Sequence, residues 1–338
     1  MSSSAKVIPR DWLDWPFFEP RHRALCESLD RFVMSGSLDE VDHSDVDASC
    51  RKIVRALGAA GLLDSAVVAP DADAAAIDSR AICLSRETLA YADGLADFAF
   101  AMQGLGSGAI ALGGSPALRA HVLPKVRAGE WLAAFALSEK DAGSDVAAMA
   151  CAARLDGEKT WISNGGIADV YTLFARTGEA PGARGISAFV VYPDDPGFSV
   201  AERIEVIAPH PLATLRLRNC RIPASRRLGA PGGGFKLAMQ TLDIFRASVA
   251  AAALGFGRRA LDEAQAHAQT RRMFGGTLSD LQMTQAAFGE MATDTDAAAL
   301  LTYRAAWRRD VQKLPTTREA AMAKLAATET AQRVIDRA

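Results

Sequence analysis

The sequence FALSEKDAGSD at residues 135–145 is the most informative stretch of this chain, and WISNGG at residues 161–166 is its counterpart. Each segment contains or follows a strand-like apolar run, and each is rich in small residues. Gly143 and Gly165 lack a side chain, so the backbone at these positions can approach a flat ligand closely. The two segments are therefore compatible with a pair of loops that face a planar ligand.

The polar and aromatic side chains of these segments fit the same kind of ligand. Hydroxyl groups that can donate to ring heteroatoms are present in Ser138, Ser144 and Ser163, and backbone N–H groups near Gly143 can do the same. Trp161 can stack on an aromatic system. The same residues also fit a simpler alternative, two hairpin turns with a tryptophan in the core, and the chemistry of the residues alone leaves both open.

The residues around these segments indicate a strand-rich region. Between residues 131 and 228 the apolar pattern changes towards a period of two, in short runs at 131–138, 171–176, 186–191 and 214–218. Turn-forming sequences rich in glycine and proline separate the runs. This pattern predicts a middle domain that forms a sheet or an open barrel.

The flanking regions have the three-to-four-residue spacing of helices. Leu242, Val249 and Phe256 recur every seven residues, with Phe245 and Ala252 between them, which predicts a long helix with a narrow packing seam. Capping boxes predict the starts of two further helices, at Ser279 with Gln282 and at Thr316 with Glu319. The last helix has no stop signal before the end of the chain, so we expect the C-terminal domain to be incomplete.

The composition limits the classes of function. The chain has 338 residues, with 38 lysines and arginines against 40 aspartates and glutamates, for a net charge of −2. This balance argues against nucleic acid or an anionic membrane as a partner, and no apolar run reaches the about 18 residues that span a bilayer. The 5 cysteines form no CxxC pair and the 5 histidines lack metal-ligand spacing, so we expect reduced thiols, a cytoplasmic protein and no metal site.

Further short motifs lie along the chain in the order found in one known family. They are RIP at 221–223, LGxxGxGF at 228–235, LD at 242–243 with Arg246, and RRMFG at 271–275 with Gln282. Together with the two segments above, they make the chain resemble the acyl-CoA dehydrogenase family over nearly its whole length. The resemblance implies an α+β multidomain fold, with an N-terminal helical domain (1–130), a central β-barrel-like domain (131–229) and a C-terminal helical bundle (230–338) that helps to form a homotetramer.

The resemblance also assigns roles to residues and implies FAD as the cofactor. The positions that match cofactor contacts of the family are Phe135, Leu137, Ser138, Gly143, Ser144, Trp161, Ile162 and Ser163, with Arg271, Phe274 and Gln282 reaching FAD across a subunit interface. The positions that match the acyl-CoA site are Ser144, Phe98, Ala101, Asp243, Phe245 and Arg246. Two assignments have plainer alternatives, because Gln282 also completes the predicted capping box and Arg271 fits a solvated helix face.

Two departures from the family pattern concern the chemistry. Lys140 stands where the family usually has proline, which makes the loop less rigid without removing a donor. The base of the family is a glutamate that removes the α-proton; it usually lies further along than Ala338, and in a minority of members at the position of Phe245. The catalytic residue is therefore unknown from the sequence. Asp97 is the one other acid we name, and its plainer alternative is a polar residue on a helix surface or at a helix start.

The activity that the resemblance implies is the α,β-dehydrogenation of an acyl-CoA thioester to trans-2-enoyl-CoA, with hydride transfer to FAD, in fatty acid metabolism. Electrons would then pass to an electron-transfer flavoprotein. An acyl-CoA oxidase or a flavin monooxygenase on the same fold is an alternative, since the sequence barely separates these enzymes from a dehydrogenase. A catalytically inactive truncated homologue is another alternative, and the absent base is its only support.

Overall fold

The computed structural model describes residues 7–73, 77–152 and 155–338. The helices are α1 (Pro20–Met34), α2 (Val46–Ala59), α3 (Ser79–Ala92), α4 (Gly94–Gly113), α5 (Pro116–Arg127), α6 (Gly234–Thr270), α7 (Gln282–Asp310) and α8 (Thr317–Arg337). The strands are β1 (Ala133–Ala136), β2 (Gly157–Ser163), β3 (Val170–Arg176), β4 (Ile186–Val191), β5 (Phe198–Arg203), β6 (Leu212–Leu217), β7 (Arg227–Leu228), β8 (Arg272–Met273) and β9 (Gly276–Thr277). The predicted order of helices, strands and helices along the chain is confirmed.

The chain divides into two compact units, and each unit combines distant parts of the sequence. Unit 1 comprises Met1–Asp39, Asp78–Asp97 and Asp243–Ala338, and unit 2 comprises Glu40–Ile77 and Phe98–Leu242. The predicted boundaries at residues 130 and 229 instead define three domains that are each continuous in sequence, so they cannot be compared directly with these two units. They stay predictions.

Unit 1 is helical, and alanine supplies much of its core. The buried cluster includes Ala247, Ala250, Ala251 and Leu254 of α6, Ala298 and Ala299 of α7, and Ala320, Ala323 and Ala327 of α8. Small residues allow a close approach of backbones, and a Cβ added at Gly255 would come within 2.3 Å of the carbonyl oxygen of Glu87. Trp12 packs on the cluster by stacking on Tyr303, with 5.0 Å between the ring centroids.

The buried face of α6 differs from the one that the seven-residue repeat predicted. The alanines at 247, 250 and 251 face the core, whereas Val249 and Phe256 are 37% and 39% exposed. The reason is steric, because helices that meet through alanine pack more closely than helices that meet through the larger side chains of the repeat. Phe245 and Ala252 of the predicted seam are buried, so within unit 1 the prediction is confirmed for these two residues and wrong for Val249 and Phe256.

Unit 2 contains two separate sheets. The first is mixed, in the order β1-β3-β4-β7, with β1 parallel to β3 and the other pairs antiparallel. The second is antiparallel, in the order β2-β6-β5. Tyr171, Leu173 and Leu215 belong to a buried cluster that draws on both sheets. Within the described residues these strands do not close into a barrel, because β5 and β7 end their sheets without pairing with each other, so the barrel-like domain we expected is a pair of sheets.

The predicted strands match the observed ones where the apolar signal is strong. The runs predicted at 171–176, 186–191 and 214–218 correspond to β3, β4 and β6, and the run at 131–138 shortens to β1. Strand β5 gave no such signal, because its residues are exposed or only half-buried along its whole length. A strand at the edge of a sheet with one open face does not need the apolar alternation on which the prediction relied.

The starts of α7 and α8 lie near the predicted positions, but their caps differ. The capping box before α7 joins Thr277 and Asp280, and no side chain caps α7 itself, which begins at Gln282. The predicted box of Ser279 and Gln282 is therefore wrong. No side chain caps α8 either, and the carboxylate of Glu319 accepts a hydrogen bond from Arg318 at 2.9 Å, so the predicted box of Thr316 and Glu319 is also wrong.

Two helices contain longer apolar stretches than the sequence analysis identified. Helices α4 and α6 each contain a stretch that is long and apolar enough to cross a membrane, judged by length and composition alone. The most apolar window is 83% buried in α4 and 67% buried in α6. Core helices of soluble proteins pass the same test, so these two helices are weak support for a membrane span.

Candidate functional site

The two motifs that dominate the sequence lie side by side in unit 2. The side-chain amide of Asn164 donates to the carbonyl oxygen of Ala133 at 3.0 Å, and the backbone amide of Thr160 donates to the carbonyl oxygen of Ser138 at 3.0 Å. The end of β2 therefore runs antiparallel to the end of β1, although the two strands belong to different sheets. This arrangement places the start of the 138–145 loop next to Trp161.

Trp161 occupies a bulge in β2. Lys159 pairs with Leu215 and Ile162 pairs with Ala213, so two residues of β2 lie opposite one residue of β6. The backbone of Trp161 is left-handed, with φ of 58°, which is uncommon for a residue with a large side chain. The bulge turns Ile162 into the core and leaves the indole of Trp161 60% exposed. A large aromatic surface is thus presented to solvent at a strained position.

Several hydrogen-bond donors at this edge have no partner among the described residues. The side chains of Ser138, Ser144 and Ser163 are at least partly exposed and make no hydrogen bond with any residue the structure describes. The space beside Gly143 is open, since an added Cβ would meet nothing within 4 Å. An exposed indole beside unpaired donors fits a planar heterocycle that carries acceptor atoms, which is the chemistry of a flavin ring.

The sequence did not reveal a buried ion pair beneath this edge. The ammonium of Lys159 donates to Glu139 Oε1 at 2.7 Å and to the carbonyl oxygen of Leu137 at 3.1 Å. Burial lowers the pKa of Lys159 below its usual value, although the hydrogen bond to Glu139 opposes that shift. The available signal was a lysine two residues before Trp161, at a strand position where an apolar side chain is usual.

Three predicted cofactor residues turn their side chains into the core of unit 2. The ring of Phe135 packs on that of Phe174, with 5.0 Å between centroids, and the side chains of Leu137 and Ile162 are buried. Only the backbone groups of Leu137 and Ile162, and at most the edge of the Phe135 ring, can contact a ligand at this edge.

Two predicted substrate residues also lie in unit 2. The ring of Phe98 is 4.6 Å from that of His210, and Ala101 is buried. A cavity of about 440 Å³ opens beside His210, between the first turn of α2 and residues 203–210. Neither Phe98 nor Ala101 is among the residues that line this cavity.

The remaining predicted substrate residues lie in the part of α6 that belongs to unit 1. Phe245 is buried, and the carboxylate of Asp243 accepts a long hydrogen bond from Thr317 at 3.4 Å. Arg246 is half-buried and makes no hydrogen bond within residues 7–73, 77–152 and 155–338. The guanidinium of Arg246 is therefore available to an anionic or polar ligand.

Asp97 is part of a buried ion pair near the start of α4. Its carboxylate accepts from Arg86 Nε at 2.8 Å and from Arg86 Nη2 at 2.7 Å, and Asp97 is only 4% exposed. The third nitrogen of Arg86 donates to the hydroxyl of Ser248 at 3.2 Å. Asp97 therefore lies in the first turn of a helix but not on the surface, and its bidentate pairing favours a structural role over that of a base.

Arg271, Phe274 and Gln282 lie around the short hairpin that β8 and β9 form between α6 and α7. Phe274 is at the tip of this hairpin with φ of 48°, and its ring is 91% exposed. The side chains of Arg271 and Gln282 are exposed and form no hydrogen bond in the part of the chain that the structure describes. All three side chains thus project from unit 1, free to contact a ligand or another subunit.

Models of protein families match the chain in three consecutive segments. The N-terminal, middle and C-terminal domains of acyl-CoA dehydrogenase match residues 19–130, 134–220 and 232–338. The probable acyl-CoA dehydrogenase fadE25 of Mycobacterium bovis is 42% identical over 242 residues, which are 69% of this chain and 62% of that protein. The chain thus spans less than two thirds of the length of that relative.

Solved structures of the same family resemble nearly the whole chain. A glutaryl-coenzyme A dehydrogenase in complex with glutaryl-CoA has a TM-score of 0.81 and 30% identity, and the match covers 94% of this chain and 86% of that one. A glutaryl-CoA dehydrogenase from Mycobacterium smegmatis in complex with FADH2 has a TM-score of 0.83 and 26% identity, and the match covers 97% and 86%. The sequence motifs, the fold and these matches agree: the chain belongs to the acyl-CoA dehydrogenase family.

Proposed function

We propose that the chain is an FAD-dependent acyl-CoA dehydrogenase, which converts an acyl-CoA thioester to the trans-2-enoyl-CoA by α,β-dehydrogenation. The observation that carries the proposal is the edge of unit 2 where the exposed indole of Trp161 lies beside the hydroxyls of Ser138 and Ser163, which make no hydrogen bond to any residue the structure describes. An exposed aromatic ring on a strained backbone is typical of a ligand site. Family membership, and relatives named for acyl-CoA substrates, support the same activity.

FAD would supply the acceptor for the hydride that leaves the β-carbon of the substrate. In unit 2 its ring would be held by stacking or hydrogen bonds from Ser138, Gly143, Ser144, Trp161 and Ser163. From unit 1, Arg271, Phe274 and Gln282 would reach FAD held by a neighbouring subunit. The binding of FADH2 to the enzyme of Mycobacterium smegmatis supports this assignment.

The proposed reaction also needs a carboxylate that reaches the α-proton of the thioester. Phe245 has no group that can accept a proton. Both carboxylate oxygens of Asp97 accept hydrogen bonds from Arg86. Breaking this ion pair would leave a buried arginine without its partner. The base is therefore assigned to neither residue.

The partners we propose are an acyl-CoA substrate, an electron-transfer flavoprotein as electron acceptor, and further copies of the chain in a homotetramer. The exposed apolar side chains of Val249, Phe256 and Phe274 support self-association, because such groups are enriched where proteins meet. The proposed setting is fatty acid metabolism in the cytoplasm. The five cysteines are buried and none is in a disulfide within the described residues, and burial raises the pKa of Cys26 to about 12, which suits thiols that stay reduced.

The experiment that tests the function is anaerobic mixing of FAD-reconstituted protein with a panel of acyl-CoA thioesters of different chain lengths. A dehydrogenase should bleach the visible flavin band with at least one thioester and reoxidise slowly in air. A thioester without α-protons is the matched control and should leave the band unchanged. Rapid reoxidation by oxygen would instead indicate an oxidase or monooxygenase, and failure of every thioester to bleach bound FAD would contradict the proposed activity.

A further inference from the structure

Lys159 is a fully buried charge in the wall of the site. Its side chain is 0% exposed, and its ammonium is surrounded by the carboxylate of Glu139 at 2.7 Å, the carbonyl oxygen of Leu137 at 3.1 Å and the sulfur of Met149 at 3.9 Å. A buried ammonium is costly unless it is paired and hydrogen-bonded. Among the described residues, the hydrogen-bond partners of the ammonium all lie in one segment, residues 137–149, which contains the loop with the serine and backbone donors.

Glu139 joins the two ends of that loop. One carboxylate oxygen accepts from the amide of Ala150 at 2.7 Å, and the other accepts from the amide of Cys151 at 3.1 Å while it also binds Lys159. The side chain at the beginning of the loop therefore holds the backbone at its end. We call this arrangement of Lys159, Glu139 and the two amides the loop clasp.

Arg176 holds the C-terminal part of the same loop, at Ala147 and Met149. Its Nε donates to the carbonyl oxygen of Met149 at 3.0 Å, and its Nη2 donates to that of Ala147 at 2.6 Å. The stretch between these anchors contains Gly143 and Ser144, both exposed and without hydrogen bonds to the described residues. The positions of those donors are therefore set by the anchors at either end rather than by contacts of their own.

The loop clasp also connects the loop to Trp161. Lys159 is the last residue of β2 before the bulge, and the bulge carries Trp161. The amide of Thr160, between them, donates to the carbonyl oxygen of Ser138. One strand segment thus holds both the ring that would stack on a planar ligand and the ammonium that holds the loop of donors.

We propose that Lys159 and Glu139 are positioning residues for the flavin, because their buried pair sets the separation between the donors at 138–144 and the ring of Trp161. This inference rests on the proposed function. Well-packed apolar residues often stabilise a fold as well as a buried ion pair does, so fold stability alone does not require the pair. The pair instead combines a fixed length, a fixed direction and several hydrogen-bond partners, which are the properties that a geometric role needs.

The test is the double variant Lys159→Met/Glu139→Gln, which removes both charges together and leaves no unpaired one. The matched control is the double variant Arg226→Met/Asp195→Asn, which removes both charges of the pair of Arg226 with Asp195 elsewhere in unit 2. For each protein we would measure urea unfolding, hydrogen exchange at the amides of Ala150 and Cys151, FAD affinity, and the visible circular dichroism of bound FAD.

The double variant should unfold cooperatively, with exchange at Ala150 and Cys151 at least tenfold faster, FAD affinity at least tenfold lower and an altered flavin dichroism. The control should change stability while it leaves exchange at those two amides and the dichroism of bound FAD as in the wild type. Wild-type FAD affinity and dichroism in the double variant would overturn the positioning role alone. Failure of the wild-type chain to bind FAD would overturn the proposed function and the flavin role together, and the exchange data would still decide whether the pair holds the loop.

Discussion

Replacing Trp161 with alanine should weaken FAD binding while the fold of unit 2 persists. A tryptophan side chain has an area of about 250 Å² at most, so its exposed 60% leaves on the order of 150 Å². A flavin ring stacked on the indole covers one of its faces, or about 75 Å². At about 25 cal/mol per Å² of buried apolar area, this burial contributes about 2 kcal/mol to the free energy of binding. The dissociation constant for FAD should therefore rise about 30-fold.

Fluorescence titration of the apoprotein with FAD measures this change directly. The fold should be retained because the lost side chain is mostly exposed, and far-ultraviolet circular dichroism checks that it is. The matched control is Ile207→Ala, which truncates a fully exposed apolar side chain of the same unit that is not among the proposed cofactor contacts. The reasoning is refuted if Trp161→Ala binds FAD as tightly as the wild type, or if Ile207→Ala weakens binding equally.

Three further predictions concern unit 1. Asp97→Asn removes one partner of the buried pair with Arg86 and should lower the free energy of unfolding by about 3–5 kcal/mol in urea denaturation; lost flavin bleaching at unchanged stability would instead identify Asp97 as a base. Tyr91 donates to Asp262 at 2.6 Å, and burial, followed by that carboxylate, raises the pKa of Tyr91 above its usual 10.0. In the unfolded chain the tyrosine ionises near pH 10, before the folded one does, so the raised pKa stabilises the fold below about pH 10. Above that pH the free energy of unfolding should fall by up to about 1.4 kcal/mol per pH unit. Tyr91→Phe should make this fall with pH measurably shallower, and an unchanged dependence on pH would contradict the prediction. Arg271→Ala should weaken FAD binding at least tenfold, and in sedimentation the FAD absorbance should travel with an oligomer; a monomer that carries stoichiometric FAD would exclude a contact across subunits.

The parts of the site that the sequence predicts are those that act through local properties. A glycine that leaves space open, serine hydroxyls at the ends of strands and an aromatic ring beside them can be identified without knowledge of distant partners. The pair of Lys159 and Glu139 could not be predicted in this way, because the two residues are 20 positions apart and meet only after β1 and β2 have come together.

The same limit applies to α6 and to Asp97. The repeat of Val249 and Phe256 has the spacing of a buried seam, but the choice between two apolar faces of one helix depends on how closely the neighbouring helices can approach. Asp97 looks like a helix-surface residue until Arg86, from a different helix, is placed against it. In both cases the deciding quantity is the distance to another element, which the pattern along the chain does not contain.

The bulge at Trp161 also determines which side chains of β2 face the core after residue 160, because side chains in a regular strand alternate between the two faces. With Lys159 inside, an unbroken pleat would turn residue 161 and Ser163 inward and Ile162 outward, whereas the extra residue reverses this pattern. A residue that resists a left-handed backbone, such as valine or isoleucine, would favour the unbroken pleat. The residues that position 161 tolerates are thus limited by the handedness of the backbone, and that limit applies before any contact with a cofactor is made.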